Sequence, residues 1–241
     1  MASTYGHVNL ISSFGFTARW RHKVVAGLPL ASADFIVDLM SGMGELWRSL
    51  ATQLPASARV VGIDISPEMA RRTHRKWHFP VEMRVEDVLE WDPQPGIADV
   101  VVSSFGLKTF DREQQRRLAQ TVSQLLKPGA VYSIIEISVP PYLPLRAAYM
   151  FYLKWVIPLV GRLLLGDPDC YRMLGLYTQA FENANHFAVC LREAGLEAIT
   201  ESYFFGCATG VRGVKPSLNS GQALATGECS GDTRREVLGF G

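Results

Sequence analysis

Between Phe35 and Asp64 an apolar run, a glycine turn, an amphipathic stretch and a second apolar run ending in an acid follow one another. The first run is Phe35-Ile36-Val37-Asp38-Leu39-Met40, with Asp38 at its end; Ser41-Gly42-Met43-Gly44 follows, and a helix is expected from about Glu45. Glycine in that turn brings backbone N–H groups and a helix N-terminus close to a ligand. Arg59-Val60-Val61-Gly62-Ile63-Asp64 is the second run. Asp64, twenty residues after Gly44, stands where a carboxylate accepts from both hydroxyls of a ribose. A G-x-G pair by itself says little, but the order strand, loop, helix, strand, acid implies β-α-β units around a buried parallel sheet.

The surrounding sequence extends that pattern. Ala98–Val102 and Ala130–Ile135 are further β-branched runs, and Asp111–Leu126 carries the helical stripe Leu118, Val122, Leu125 and Leu126 before the breakers Pro128-Gly129. Residues 196–215 return to strand character and suit an antiparallel pair at the sheet edge. Residues 141–190 break the alternation. Tyr149–Leu165 is almost wholly apolar but holds Lys154, Pro158, Gly161 and Arg162, which makes a poor membrane span. It reads as a buried helical hairpin, a greasy cap over a ligand, or a surface touching lipid. The expected organisation is an N-terminal helical segment over the site (1–30), a ligand-binding domain (31–216) with a helical insertion (141–190), and a flexible tail (217–241).

Composition removes several classes. The 241 residues leave room for one domain with an insertion. Lys plus Arg is 24 against 23 Asp plus Glu, so no nucleic-acid partner held by phosphate contacts is expected. At 48% hydrophobic and 20% charged the chain is neither disordered nor membrane-integral. Cys170, Cys190, Cys207 and Cys229 form no C-x-x-C pair, and no His/Cys cluster specifies a metal. With no signal peptide, a reduced, cytoplasmic protein with peripheral membrane contact is the expectation.

A dinucleotide fingerprint wants a third glycine where Trp47 stands. Asp87, in Glu86-Asp87-Val88 at the end of the third strand, can accept from an adenine amino group while a neighbouring N–H donates to a ring nitrogen. That set suits S-adenosylmethionine better than NAD. At this point the sequence resembles the class I methyltransferases, and within them the C-methyltransferases of ubiquinone and menaquinone biosynthesis. The likeness runs from about Tyr5 to Pro216. It rests on Asn9–Gly15 with Arg19-Trp20-Arg21, Ser104-Phe105-Gly106-Leu107-Lys108, Leu126-Lys127-Pro128-Gly129, Glu136-Ile137-Ser138, Gly166–Leu174 and Val211–Lys215. The resemblance implies a Rossmann-like α/β fold with a mostly parallel seven-stranded sheet and a helical cap. It also implies S-adenosylmethionine as cofactor, and Met43, Asp64, Asp87, Val88 and Ser104 on cofactor-binding positions beside Asp38, Ser41, Gly42 and Gly44.

Departures from the family pattern gather on the substrate side. Ser41-Gly42-Met43-Gly44 replaces G-G-T-G, Thr17-Ala18 replaces a His-Arg pair, Thr109 an Asn and Val139 a Lys. A lipophilic quinone or related aromatic ring is the implied substrate, with Tyr149, Met150, Phe151, Tyr152, Trp155 and Ile157 suited to an isoprenoid tail. Ring C-methylation needs close alignment, exclusion of water and a proton acceptor. Asp169, Tyr171 and Arg172 are the catalytic candidates: Arg172 to stabilise a phenolate, Asp169 to orient it or take its proton. Tyr5 and His7 lie in a segment able to fold over the site; His186 reads as packed, and His22, His74 and His78 as surface. Two further readings stand beside C-methylation. One is a rhodoquinone-type enzyme that uses S-adenosylmethionine as amino donor to replace a ring methoxy group. The other is a non-catalytic interaction module on the same fold.

Overall fold

Apolar side chains alternate across the strands and build a core on each face of one sheet. Ile36, Val60, Val100 and Val102 pack with Trp20, Trp47 and Leu50. Val37, Val61, Ile63 and Val101 pack with Leu118, Val122, Phe187 and Leu191 on the other side. The computed structural model describes residues 16–73, 77–165 and 169–217, the side chains of 163–172 excepted. Its strands are β1 (Phe35–Leu39), β2 (Arg59–Asp64), β3 (Val81–Val85), β4 (Ala98–Ser104), β5 (Leu126–Ile137), β6 (Ile199–Tyr203) and β7 (Ala208–Val214), in the order β3-β2-β1-β4-β5-β7-β6. β1 to β5 are parallel. β7 runs antiparallel to both β5 and β6, the edge pair expected from residues 196–215. The order reverses between β1 and β4, so the crevice beyond their carboxyl ends is where a ligand of such a sheet binds.

The helices are α1 (Phe16–Val25), α2 (Trp47–Leu50), α3 (Pro67–Arg71), α4 (Arg112–Leu125), α5 (Leu143–Phe151), α6 (Ile157–Leu165), α7 (Asp169–Phe181) and α8 (Asn185–Glu193). α4 starts in a capping box, Asp111 accepting from Gln114 N while Gln114 accepts from Asp111 N. Two expectations are corrected. The helix after the glycine turn begins at Trp47, not Glu45, and lasts four residues. A helix read over 180–194 from the sequence is broken in the structure: Glu182 takes a left-handed φ of 60°, its carbonyl accepts from Val139 N, and Asn183 Oδ1 accepts from Asn185 N to start α8. α8 then packs against α4 in the sheet's helical layer, so the inserted part of 141–190 ends at Phe181.

α5 and α6 are joined by a π turn, Tyr152–Val156, in which Ile157 N reaches back to Tyr152 O. Pro158 has no N–H for Lys154 O, and the widened turn accommodates its ring. α7 crosses there at Gly175, where a Cβ would come within 2.6 Å of Lys154 Cγ. Among the described residues no helix is long and apolar enough to cross a membrane.

Candidate active site

The ends of β1, β2 and β4 and the turn after β3 open onto a cavity of about 730 Å³. Asp64 lines it at the end of β2. Its Oδ2 accepts from Gly42 N at 2.8 Å and its Oδ1 from Ser66 N at 2.9 Å. A carboxylate offers about four acceptor positions, so both oxygens keep capacity for a diol. Asp87 Oδ1 accepts from Leu89 N at 2.9 Å, and Asp87, Val88 and Ser104 continue the same wall.

The glycine turn works differently from its expected role. Gly42 (φ 59°) and Gly44 (φ 76°) are both left-handed, but only Ser41 and Gly42 of the turn reach the cavity. The N–H groups of Gly42 and Met43 are taken by Asp64 and by Glu45 Oε2, so neither is turned toward a ligand. Gly44 instead makes room for Trp47: a Cβ there would lie 2.5 Å from the indole. The Trp47 Nε1–H donates to Asp38 Oδ2 at 2.9 Å, while Asp38 Oδ1 is buried with no partner among the described residues. Burial pushes the Asp38 carboxyl well above the usual range, against the Trp47 hydrogen bond that favours its ionised form. Asp38, Met43 and Gly44 therefore stand behind the cavity wall, and Trp47, the residue that spoils a dinucleotide fingerprint, holds the turn together.

Two non-glycine residues take left-handed conformations on either side of the crevice, Met40 (φ 55°) after β1 and Phe105 (φ 67°) after β4. Such backbone persists where its surroundings over-determine it. Here a Cβ on Gly106 would sit 2.5 Å from Met40 Cβ, so the two turns interlock.

The opposite wall is apolar: Phe16, Ile137, Tyr149, Tyr152, Leu153, Ile157, Leu174 and Phe204. Tyr149 donates to Cys207 O at 3.3 Å. Burial raises its phenol pKa and pushes the Cys207 thiol up to about 11, so both stay neutral near pH 7. At the junction of the two walls lies Lys108, whose Nζ is 3.1 Å from Glu136 Oε1 and also donates to Phe105 O. Glu136 is fully buried and accepts from Lys108 N and Ile137 N as well. Lys108 and Glu136 stood in the sequence as separate family elements; that they form one buried pair needs the β4–β5 register, which local periodicity does not carry. Arg21 and Glu45, also on the wall, were missed as site residues for the same reason.

Asp169, Tyr171 and Arg172 occupy the first turn of α7, but their side chains lie outside the described residues, as do Tyr5, His7 and His74. Leu174 of the same helix lines the cavity. His186 Nε2 is 3.5 Å from Arg112 O and 3.6 Å from Cys190 Sγ and is not part of the wall. His78 bonds Leu54 O on the exposed surface.

An acid with free acceptor capacity at a ribose position, a second acid beyond it and an apolar chamber alongside fit S-adenosylmethionine and an aromatic substrate. The chain matches the model of the ubiE/COQ5 methyltransferase family over residues 1–215. It is 32% identical over 204 residues to a ubiquinone/menaquinone biosynthesis C-methyltransferase UbiE of Syntrophotalea carbinolica, covering 83% of this chain and 84% of that one. It is 28% identical over 221 residues to a demethylmenaquinone methyltransferase of Lactiplantibacillus plantarum, covering 89% and 92%. Among solved structures, human N-acetylserotonin methyltransferase in complex with SAM aligns at a TM-score of 0.57 with 17% identity, over 88% of this chain and 56% of that one. A Haloferax volcanii putative methyltransferase solved with its Trm112 activator aligns at 0.57 with 16% identity, over 87% and 97%. These last two likenesses speak to the fold alone.

Proposed function

This chain belongs to the ubiE/COQ5 methyltransferase family and is an S-adenosylmethionine-dependent methyltransferase, and we propose that it methylates a ring carbon of a quinol. Family membership displaces the reading as a non-catalytic module. The observation that carries the substrate proposal is the continuity of one cavity from Asp64 and Asp87 to the apolar wall of α5, α6 and α7, with the Lys108–Glu136 pair at the junction.

Bound S-adenosylmethionine supplies an electrophilic methyl group on a sulfonium. Asp64 holds the ribose diol, and Asp87 with the Val88 N–H reads the adenine edge. Tyr149, Tyr152, Leu153 and Ile157 exclude water and hold the ring and its tail. The Lys108 ammonium, kept in place by Glu136 and Phe105 O, favours the phenolate that pushes charge to the attacking carbon. Arg172 shares that task, and Asp169 takes the ring hydroxyl proton. The carbon that gains the methyl group then loses its hydrogen as a proton to water while the ring oxygen is reprotonated, which leaves S-adenosylhomocysteine as the thioether product.

The outer face of the cap supports peripheral membrane contact. Leu143, Phe151, Trp155 and Leu159 are exposed, as are Arg146 and Arg162, and residues 139–166 hold no acid, while Lys154 is half-buried and donates to Gln179. A cationic, apolar face suits an anionic bilayer. Flotation with anionic liposomes should fall sharply for Trp155→Glu with Arg162→Glu; equal flotation of both forms would remove the membrane from the proposal.

Mass spectrometry of quinones from a host expressing the chain tests the reaction. A quinone heavier by one CH₂ is expected. Replacement of a ring methoxy by an amino group would favour the rhodoquinone-type reaction, and unchanged quinones would overturn both.

A further inference from the structure

We propose that Arg21 and Glu45 form the subsite for the amino-acid end of the cofactor, Arg21 taking the α-carboxylate and Glu45 the α-ammonium. The inference rests on S-adenosylmethionine as the cofactor and assigns two residues that the acids at the strand ends do not account for.

Arg21 projects from α1 onto the cavity wall with a side chain only 16% exposed. Its Nε is buried and has no hydrogen-bond partner among the described residues. The nearest carboxylate among the described residues, Glu45, is 3.8 Å from a terminal guanidinium nitrogen, an ion-pair distance too long for a hydrogen bond. The guanidinium also lies over the Phe105 ring, 5.1 Å from its centroid, which fixes its plane without using its donors. A largely buried guanidinium with an unmet Nε–H beside a cavity is matched by a planar anion that it can grip with two bonds.

Position selects the anion. Asp64 and Asp87 mark the β2–β3 side as the nucleoside end. A ligand anchored there and lying along the crevice crosses the ends of β1 and β4, where Ser41, Gly42, Phe105 and Gly106 form the wall and α1 packs above. The far end of that ligand is an amino acid, carrying one carboxylate and one ammonium. Glu45 offers the complementary charge: its Oε2 is held by Met43 N, and its Oε1 faces Arg21. The loose pair is thus a preformed charge pattern that a zwitterion can bridge. It binds the reaction product as well, because S-adenosylhomocysteine keeps the same amino-acid end.

Two ligands separate binding from architecture: S-adenosylhomocysteine, and 5′-methylthioadenosine, which has the nucleoside and sulfur but no amino acid. By titration calorimetry, Arg21→Gln should weaken S-adenosylhomocysteine about 10- to 100-fold and 5′-methylthioadenosine less than about 2-fold. Glu45→Gln, which keeps an acceptor for Met43 N, should show the same selectivity with a smaller loss, and Arg21→Lys should recover part of the affinity. Equal loss for both ligands would make Arg21 a structural residue and overturn the proposal, as would unchanged affinity for S-adenosylhomocysteine. If Arg21→Gln does not fold, Glu45→Gln and Arg21→Lys carry the same comparison. Wild-type protein that binds neither ligand would instead overturn the cofactor assignment on which the subsite rests.

Discussion

The two walls of the cavity are built from opposite materials. At the ends of β2 and β3, hydrogen bonds hold the polar side chains, Asp64 by Gly42 and Ser66 and Asp87 by Leu89, and behind this wall Trp47 holds Asp38. The cap wall, from α5 to α7, is held chiefly by apolar packing of Leu153 and Ile157 against Ile137, Tyr149, Met150 and Leu174. Its outer face leaves Phe151, Trp155 and Leu159 exposed. A small polar cofactor is recognised by fixed acceptors, whose geometry must not change. A greasy ring with a tail is recognised by shape and exclusion of water, which a helical cap can adjust. On the proposed function, affinity for the cofactor and choice of substrate therefore rest on separate walls.

The largest expected effect falls where the walls meet. Lys108→Met leaves Glu136 charged and buried, and should cost about 3–5 kcal/mol in urea unfolding. Adding Glu136→Gln, which removes the buried charge and keeps one acceptor oxygen for the two N–H groups of Lys108 and Ile137, should restore part of that stability. A single-variant loss under about 1 kcal/mol would show that the junction is wet and the walls less distinct than described.

Next is the cap side. Arg172→Lys keeps the charge but loses the fork, and turnover should fall about 10²-fold with S-adenosylmethionine affinity and melting temperature little changed. Lower stability with normal turnover per folded molecule would make Arg172 a brace of the insertion instead. On the polar side the reverse split is expected: Asp64→Ala should weaken cofactor binding by about 1.5–3 kcal/mol, roughly 10- to 150-fold. Calorimetry showing unchanged affinity would take Asp64 out of the site.

The smallest effect is a pH dependence behind the glycine turn. Because the folded pKa of Asp38 is raised, above all by burial, the folded chain keeps a proton that the unfolded chain has released at any pH between the unfolded and the folded pKa. Asp38 therefore contributes stability at low pH that is lost as pH rises through its folded pKa. Asp38→Asn keeps an acceptor for Trp47 Nε1 and removes that loss. Its melting temperature should gain on the wild type as pH rises, by about 2–4 °C per kcal/mol. Parallel melting curves across pH would show that Asp38 is not the titrating group.

The sequence alone determined the parallel strands of the sheet and the acids at their ends, while the reversal of strand order between β1 and β4 belongs to the tertiary structure. The apolar runs Val60–Ile63 and Val100–Val102 need only near neighbours to be read, and an acid that closes a strand of a parallel sheet must stand at its carboxyl edge. Tertiary structure alone decided what those neighbours do. That Gly44 yields to the Trp47 ring, that Lys108 meets Glu136, and that Arg21 from α1 comes beside Glu45 all depend on segments brought together by packing. The break at Glu182 is of the same kind, since its carbonyl bonds Val139 from across the chain. Local pattern reports the burial of a face, whereas a hydrogen bond or an ion pair between distant residues exists only once the chain has closed on itself.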